Sequence, residues 1–171
     1  PSCSQYYRVT ALHPLAQAGA NRKTAGLNTW GPTKDLIVIG LGASELDDYA
    51  RVAAAEQGRT LSPDAEPEKG FYYRSDHFHF AKQGVPAFDP EAGIEFTGKP
   101  AGYGMKKREE YTTNDYHKPQ DEIKPGWDLS GAVLDLKLFL TMGYRIANAP
   151  KMPEWRAGNE FRAIREKSLK P

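Results

Sequence analysis

One cysteine, Cys3, is all the thiol that 171 residues contain. It excludes an internal disulfide and a cysteine-rich zinc site, and it leaves the compartment open. Net charge is nearly absent too, with 23 Lys plus Arg against 22 Asp plus Glu. Nucleic-acid and anionic-membrane binders need a net basic face, so neither class is expected. No apolar run approaches the length of a membrane span. There is no internal repeat, no low-complexity tract and no signal-peptide pattern. The chain opens Pro1-Ser2-Cys3 without a methionine. Either a leader has been removed or the chain is a piece of something longer, and the second is the expectation.

What is present suits a domain with a sizeable core: 39% hydrophobic residues, a mean hydropathy of −0.66 and 13 prolines, which add polar loops. Residues 6–20 carry a mixed helical pattern broken by Pro14. Asp35 to Gly40 holds four consecutive branched apolar residues, the pattern of a strand buried on both faces. Ser44-Glu45-Leu46-Asp47 reads as a helix start with Ser44 as N-cap, and the helix runs to Gly58. Asp76 to Gln83 reads as a short helix and Val85 to Phe88 as a short strand. Residues 89–127 show little periodicity and read as a long loop, which in a compact domain is functional or disordered. A closing helix spans about Leu129 to Ala147. Its stripe of Leu129, Val133, Leu136, Leu140, Gly143 and Ala147, widened by Leu134, Leu138 and Phe139, is expected to pack on a sheet. The order strand, helix, strand, helix predicts a three-layer αβα domain of class α/β over 1–150. A basic extension over 151–171 is expected to anchor through Trp155 and Phe161.

Four histidines could carry chemistry. His13, before Pro14, reads as a surface residue. His77 and His79 sit two apart and point to different faces of a helix, which suits packing better than chelation. His117 lies in the long loop between Tyr116 and the carboxylates Asp121 and Glu122. Those are the parts of a metal ligand with its outer partners, and the phenol could donate to an oxyanion. A solvated loop histidine fits the same spacing. Gly40-Leu41-Gly42 lacks the third glycine of a dinucleotide fingerprint and reads as a tight strand-to-helix turn. Lys106-Lys107-Arg108 beside Glu109-Glu110 reads as a solvated mixed-charge stretch.

The block from Ser75-Asp76-His77 through Phe80 to Gly84-Val85-Pro86-Ala87, followed by Tyr116-His117 and Asp121, resembles the co-catalytic di-zinc aminopeptidase family. That family includes bacterial leucyl aminopeptidases, glutamate carboxypeptidase, the protease-like domain of transferrin receptor and, more distantly, glutaminyl cyclase. Leu27-Asn28-Thr29-Trp30-Gly31 and Leu36 to Tyr49 resemble bacterial members. The resemblance implies a zinc-exopeptidase-like αβα domain with a mostly parallel or mixed sheet, of which this chain is the C-terminal part. It implies His117 as the ligand of one zinc and Tyr116 as the group that polarises the scissile carbonyl. Asp76 becomes a carboxylate behind the metal site, and Ser75 lies near the substrate's free amine. The implied chemistry is hydrolysis of an N-terminal peptide bond by a metal-bound hydroxide, with two zinc ions in the complete site and a peptide or aminoacyl substrate. A secreted or periplasmic location is implied as well.

The sequence also departs from that pattern. The family's His-x-Asp motif, bridging aspartate and Glu-Glu pair have no match. Ala25 stands where a further metal-binding aspartate is expected, beside the basic Arg22-Lys23. A catalytic zinc ordinarily needs about three protein ligands, and one histidine cannot hold it. Two functions are therefore expected in competition. One is a metallo-aminopeptidase whose remaining ligands come from an N-terminal portion of the same domain. The other is a non-catalytic, protease-like binding domain that has lost its metal ligands.

Overall fold

The computed structural model describes residues 17–23 and 26–170. The helical pattern over residues 6–16, together with Cys3, His13 and Ala25, lies outside the described residues. Four strands form one mixed sheet in the order β1-β4-β2-β3: β1 (Asn21–Arg22), β2 (Asp35–Ile39), β3 (Thr60–Pro63) and β4 (Ala87–Ala92). Strand β2 pairs parallel with β3 and antiparallel with β4, and β1 pairs parallel with β4. All five residues of β2 are buried, because helices or loops cover both faces of the sheet. On β4, Phe88 joins one core cluster and its neighbour Ala87 joins another. That alternation places a packed layer on each side.

The first layer is helix α1 (Leu46–Ala55) against the long closing helix. Asp47 turns back to accept a hydrogen bond from the Gly42 amide at 2.7 Å. That bond closes the Gly40-Leu41-Gly42 turn, in which both glycines hold positive φ. Burial pushes the Asp47 carboxyl up, and the Gly42 amide opposes it. The N-cap position falls on Glu45, one residue later than expected, and Ser44 Oγ accepts from the Leu46 amide at 3.3 Å.

The second layer contains the short helices α2 (Phe71–Arg74) and α3 (His77–Ala81) together with the C-terminal segment. Trp155 and Phe161 are buried with Ala81 and Ala87, and Trp155 Nε1 donates to the Gly84 carbonyl at 2.8 Å. Helix α6 (Arg162–Ser168) follows and crosses Gly84, where an added Cβ would lie 2.7 Å from the Arg165 amide.

Two expectations are corrected. Residues 89–127 are not one loop, since helix α4 (Tyr103–Asn114) forms inside them. Its sequence is polar nearly all round, so it carries no apolar stripe. Pairing of Lys107 with Glu110 at 2.8 Å and of Arg108 with Glu91 at 2.6 Å supports it instead. Gly104 lets α4 approach residue 94 closely, for a Cβ there would sit 2.3 Å from the Ile94 carbonyl oxygen.

The closing helix α5 (Ser130–Ala147) forms where expected but turns its other face inward. Ala132, Asp135, Leu138, Phe139 and Met142 are buried, while Leu129, Val133, Leu136 and Leu140 are 45–74% exposed. The inward face accepts a carboxylate because Arg59 Nη1 meets Asp135 Oδ1 at 2.7 Å, both side chains being almost fully buried.

Candidate functional site

The turn at Asn28 begins the site. Asn28 Nδ2 donates to the Gly31 carbonyl at 2.6 Å, and the Trp30 amide donates to Asn28 Oδ1 at 3.0 Å. This side-chain-closed turn holds Trp30 outward in a fixed direction. Asp128 ties the turn to the start of α5, donating its amide to Thr29 O and accepting from the Gly31 amide. Its carboxylate accepts from the Ser130 amide and hydroxyl at 2.9 and 2.6 Å, which holds it below the usual carboxylate range. Gly131 seats the helix on the turn, where any Cβ would collide with the Gly31 carbonyl oxygen and Asn28 Nδ2.

Between this turn, α4 and residues 121–129 runs a groove of about 1080 Å³. Trp30, Tyr103, Tyr111 and Trp127 line it, with Leu129, at the N-cap of α5, and Leu136 within α5 at one side. Tyr111 donates to Asp121 Oδ2 at 3.0 Å, and burial followed by that hydrogen bond pushes its phenol up to about 12. Lys124 pairs with Asp115 at 2.5 Å and so closes residues 115–124 into a compact loop.

Tyr116 and His117 sit in that loop, just past the end of α4. The Tyr116 amide caps the helix by donating to Tyr111 O at 2.9 Å. His117 then adopts φ 56°, the left-handed region, and among the described residues it is the only non-glycine to do so. A β-carbon is disfavoured there, and such strain clusters at functional positions. The imidazole stacks on the Tyr116 ring at 3.9 Å and 21°, and both side chains are exposed.

Ser75 and Asp76 lie between α2 and α3, and they neither bond nor stack with Tyr116 or His117. Ser75 Oγ accepts a 2.7 Å hydrogen bond from Lys23 Nζ. Asp76 is exposed at the N-cap of α3, and its carboxylate has no hydrogen-bond partner among the described residues. His77 is buried edge-on to Tyr72, with ring centroids 4.8 Å apart. Its Nδ1 lies 3.1 Å from Asp89 Oδ2, off the hydrogen-bond direction, so neither ring nitrogen has an aligned partner. His79 is exposed. Trp127 and the Lys23–Ser75 contact were not legible in the sequence; an Asn two residues before Trp30 was the one local sign of a built wall.

The fit to a metal is incomplete. Among the described residues no group of three or more His, Cys, Asp or Glu could hold an ion, and His117 alone does not make a zinc centre.

The model of Peptidase family M28 matches residues 5–140. The chain belongs to peptidase family M28. This is the co-catalytic group that the Ser75-to-Ala87 and Tyr116-His117 blocks resemble, a peptidase family whose members are generally zinc-dependent. The match spans the sheet, the groove and the strained His117 of this M28 chain. No curated protein matches the chain, and no solved structure does.

Proposed function

We propose that this M28 chain is the C-terminal, substrate-facing part of a zinc aminopeptidase that hydrolyses N-terminal peptide bonds. One observation carries the reading: His117 is held in a left-handed conformation stacked on Tyr116, whose ring meets the groove-lining Tyr111 at 5.9 Å. In this reading His117 supplies one metal ligand, and an N-terminal portion of the same domain supplies the rest. Tyr116 is 48% exposed, free to donate its phenolic proton to the carbonyl oxygen of a bound peptide as charge develops there. The described residues do not complete a zinc centre, and no catalytic step is assigned to them alone.

The uncovered apolar stripe on α5 supports the same reading, because Leu129 and Leu136 belong both to it and to the groove. A segment that covered the stripe would reach the site.

A second reading, a protease-like binding domain without catalysis, draws on Lys23. Its ammonium donates to Ser75 Oγ, near where the resemblance places a substrate amine, and the adjoining Arg22 lies 4.3 Å over the Phe139 ring. Zinc content and hydrolysis of aminoacyl-nitroanilides, measured on the longest natural form of the protein, separate the two. The aminopeptidase reading expects bound zinc, turnover abolished by chelation, and a sharp loss of zinc in His117→Ala. Full zinc occupancy in that variant overturns the ligand assignment. Absence of both zinc and turnover in that form favours the binding domain.

A further inference from the structure

A second cavity, of about 450 Å³, shares no lining residue with the groove. It opens where four segments meet: β1 with the residues just before it, the start of α1, the last turns of α5 and residues 149–153. Leu46 and Met142, both almost fully buried, form its floor, and Ile146 and Met152 add further apolar lining. Two of these four side chains are methionines, whose unbranched thioethers adapt to whatever packs on them. Gly143 lines the cavity too, and a Cβ there would meet nothing within 4 Å.

Charge defines the occupant. Among its described lining residues the cavity holds two cations, Arg22 and Lys151, and no carboxylate. The groove is the opposite, with five carboxylates against three lysines. Arg22 is set 4.3 Å over the Phe139 ring, a contact that fixes where its charge sits. Lys151 Nζ lies 3.5 Å from Glu45 Oε1, outside the lining, and that long contact engages one of the three donors of an ammonium. An apolar floor beside two cations matches a molecule with an apolar body and one negative end, and it repels an organic cation.

We propose that this cavity binds an amphiphilic organic monoanion, an alkyl carboxylate of medium length, with its chain on Leu46, Met142, Ile146 and Met152 and its carboxylate toward Arg22 and Lys151. The volume falls within the roughly 300–1,000 Å³ of small-molecule pockets. Because the lining comes from four separate segments, an occupant ties β1 and residues 149–153 to α5, and its binding free energy adds to the stability of the fold. The cavity uses none of Ser75, Asp76, Tyr116 or His117, so the assignment goes beyond the aminopeptidase reading and stands without it.

The three methionines supply the test. Met142 and Met152 line the cavity, and Met105, in α4, does not. In the 171-residue chain labelled with carbon-13 at the methionine methyls, octanoate is expected to shift the Met142 and Met152 resonances saturably and to leave Met105 in place. The melting temperature should rise with the same titration. 1-Octanol and octylammonium are expected to bind at least about tenfold more weakly for want of the negative end. Hexanoate is expected to bind about tenfold more weakly for want of two methylenes. Gly143→Phe, which extends into the open space, is expected to abolish the shifts with the circular dichroism unchanged. Lys151→Gln, an exposed change, is expected to weaken octanoate about threefold to fivefold, and it serves if the Gly143 variant fails to fold. Leu136→Glu with Leu140→Glu should leave the affinity unchanged; a tenfold loss there would place the ligand on the outward stripe of α5 and overturn the cavity. Absence of saturation, equal affinity for 1-octanol or octylammonium, or full affinity in the Lys151 variant overturns it as well.

Discussion

The phenol of Tyr111 is shielded by Trp30 on one side and donates to Asp121 on the other. Burial first, and then the carboxylate, push it up to about 12, against about 10 for an unfolded tyrosine. The sign follows from linkage. Across the window from about pH 10 to about pH 12 the unfolded chain has lost this proton and the folded chain has kept it. The contribution is intact below pH 10 and is lost as pH rises through the window. Asp121→Asn removes only the second cause. Absorbance at 295 nm should then show one tyrosine titrating earlier than in the parent while Tyr72, also raised to about 12 by burial, stays late. An unchanged titration would mean that Asp121 does not reach the phenol in solution. His117 yields a second expectation at this scale. Its left-handed backbone costs a side chain about 1–2 kcal/mol, which glycine recovers less its own entropy of ordering. His117→Gly should leave the unfolding free energy unchanged or raise it by up to about 1 kcal/mol, read as an unchanged or higher melting temperature. A clear fall would assign His117 to holding the fold and not to chemistry.

Helix α5 illustrates how much of an element can be read before its neighbours are known. Its existence and length are legible from the run of apolar residues between Ser130 and Ala147. Its orientation is not: the period favours the stripe of Leu129, Val133, Leu136 and Leu140, and that stripe faces outward, because leucines lie on the other sides as well. What selects the inward face is Arg59, distant in sequence, which meets Asp135 and also donates to Thr33 Oγ1 and the Asp35 carbonyl at 2.9 and 2.8 Å. A carboxylate on the buried side looks like a solvent face until its partner is seen. Helix α4 was missed for the opposite reason, since its ion pairs with Glu110 and Glu91 leave no apolar trace. Strand β2 and the Trp155 anchor could be read because burial alone determines them. The Arg59–Asp135 pair carries a prediction. Burial pushes the Asp135 carboxyl up despite Arg59, so desolvation consumes much of the attraction. Removing one partner still strands a buried charge, and Asp135→Ala should cost about 3–5 kcal/mol in urea unfolding. Arg59→Met combined with Asp135→Leu should recover at least half of that loss. A double variant as unstable as the single one would show that the bonds to Thr33 and Asp35 dominate.

Across the whole molecule the sheet is covered on both faces, yet one side of α5 is not. Leu129, Val133, Leu136, Leu140 and Tyr144 form a stripe of 45–74% exposure among the described residues, with Trp127 at its end. A contiguous apolar patch on a helix of this length marks an interaction surface more often than a solvated face. The site beside it holds one candidate ligand where a zinc centre needs about three. The two deficits meet at Leu129 and Leu136, which belong to stripe and groove alike. One covering segment would bury the stripe and reach the groove that Leu129 and Leu136 also line, so the same substitutions should have opposite consequences in two contexts. In the 171-residue chain, Leu136→Glu with Leu140→Glu replaces solvent-facing leucines by carboxylates. It should leave the unfolding midpoint within about 0.5 kcal/mol of the parent and reduce self-association in sedimentation. In a natural form that carries the remaining ligands, the pair would place two charges in a covered seam. Zinc content and turnover should fall together by tenfold or more, with the stability of that form reduced by several kcal/mol. If the double variant is equally well tolerated in both contexts, the stripe is solvent-facing in that form as well, and no segment covering it contributes to the site.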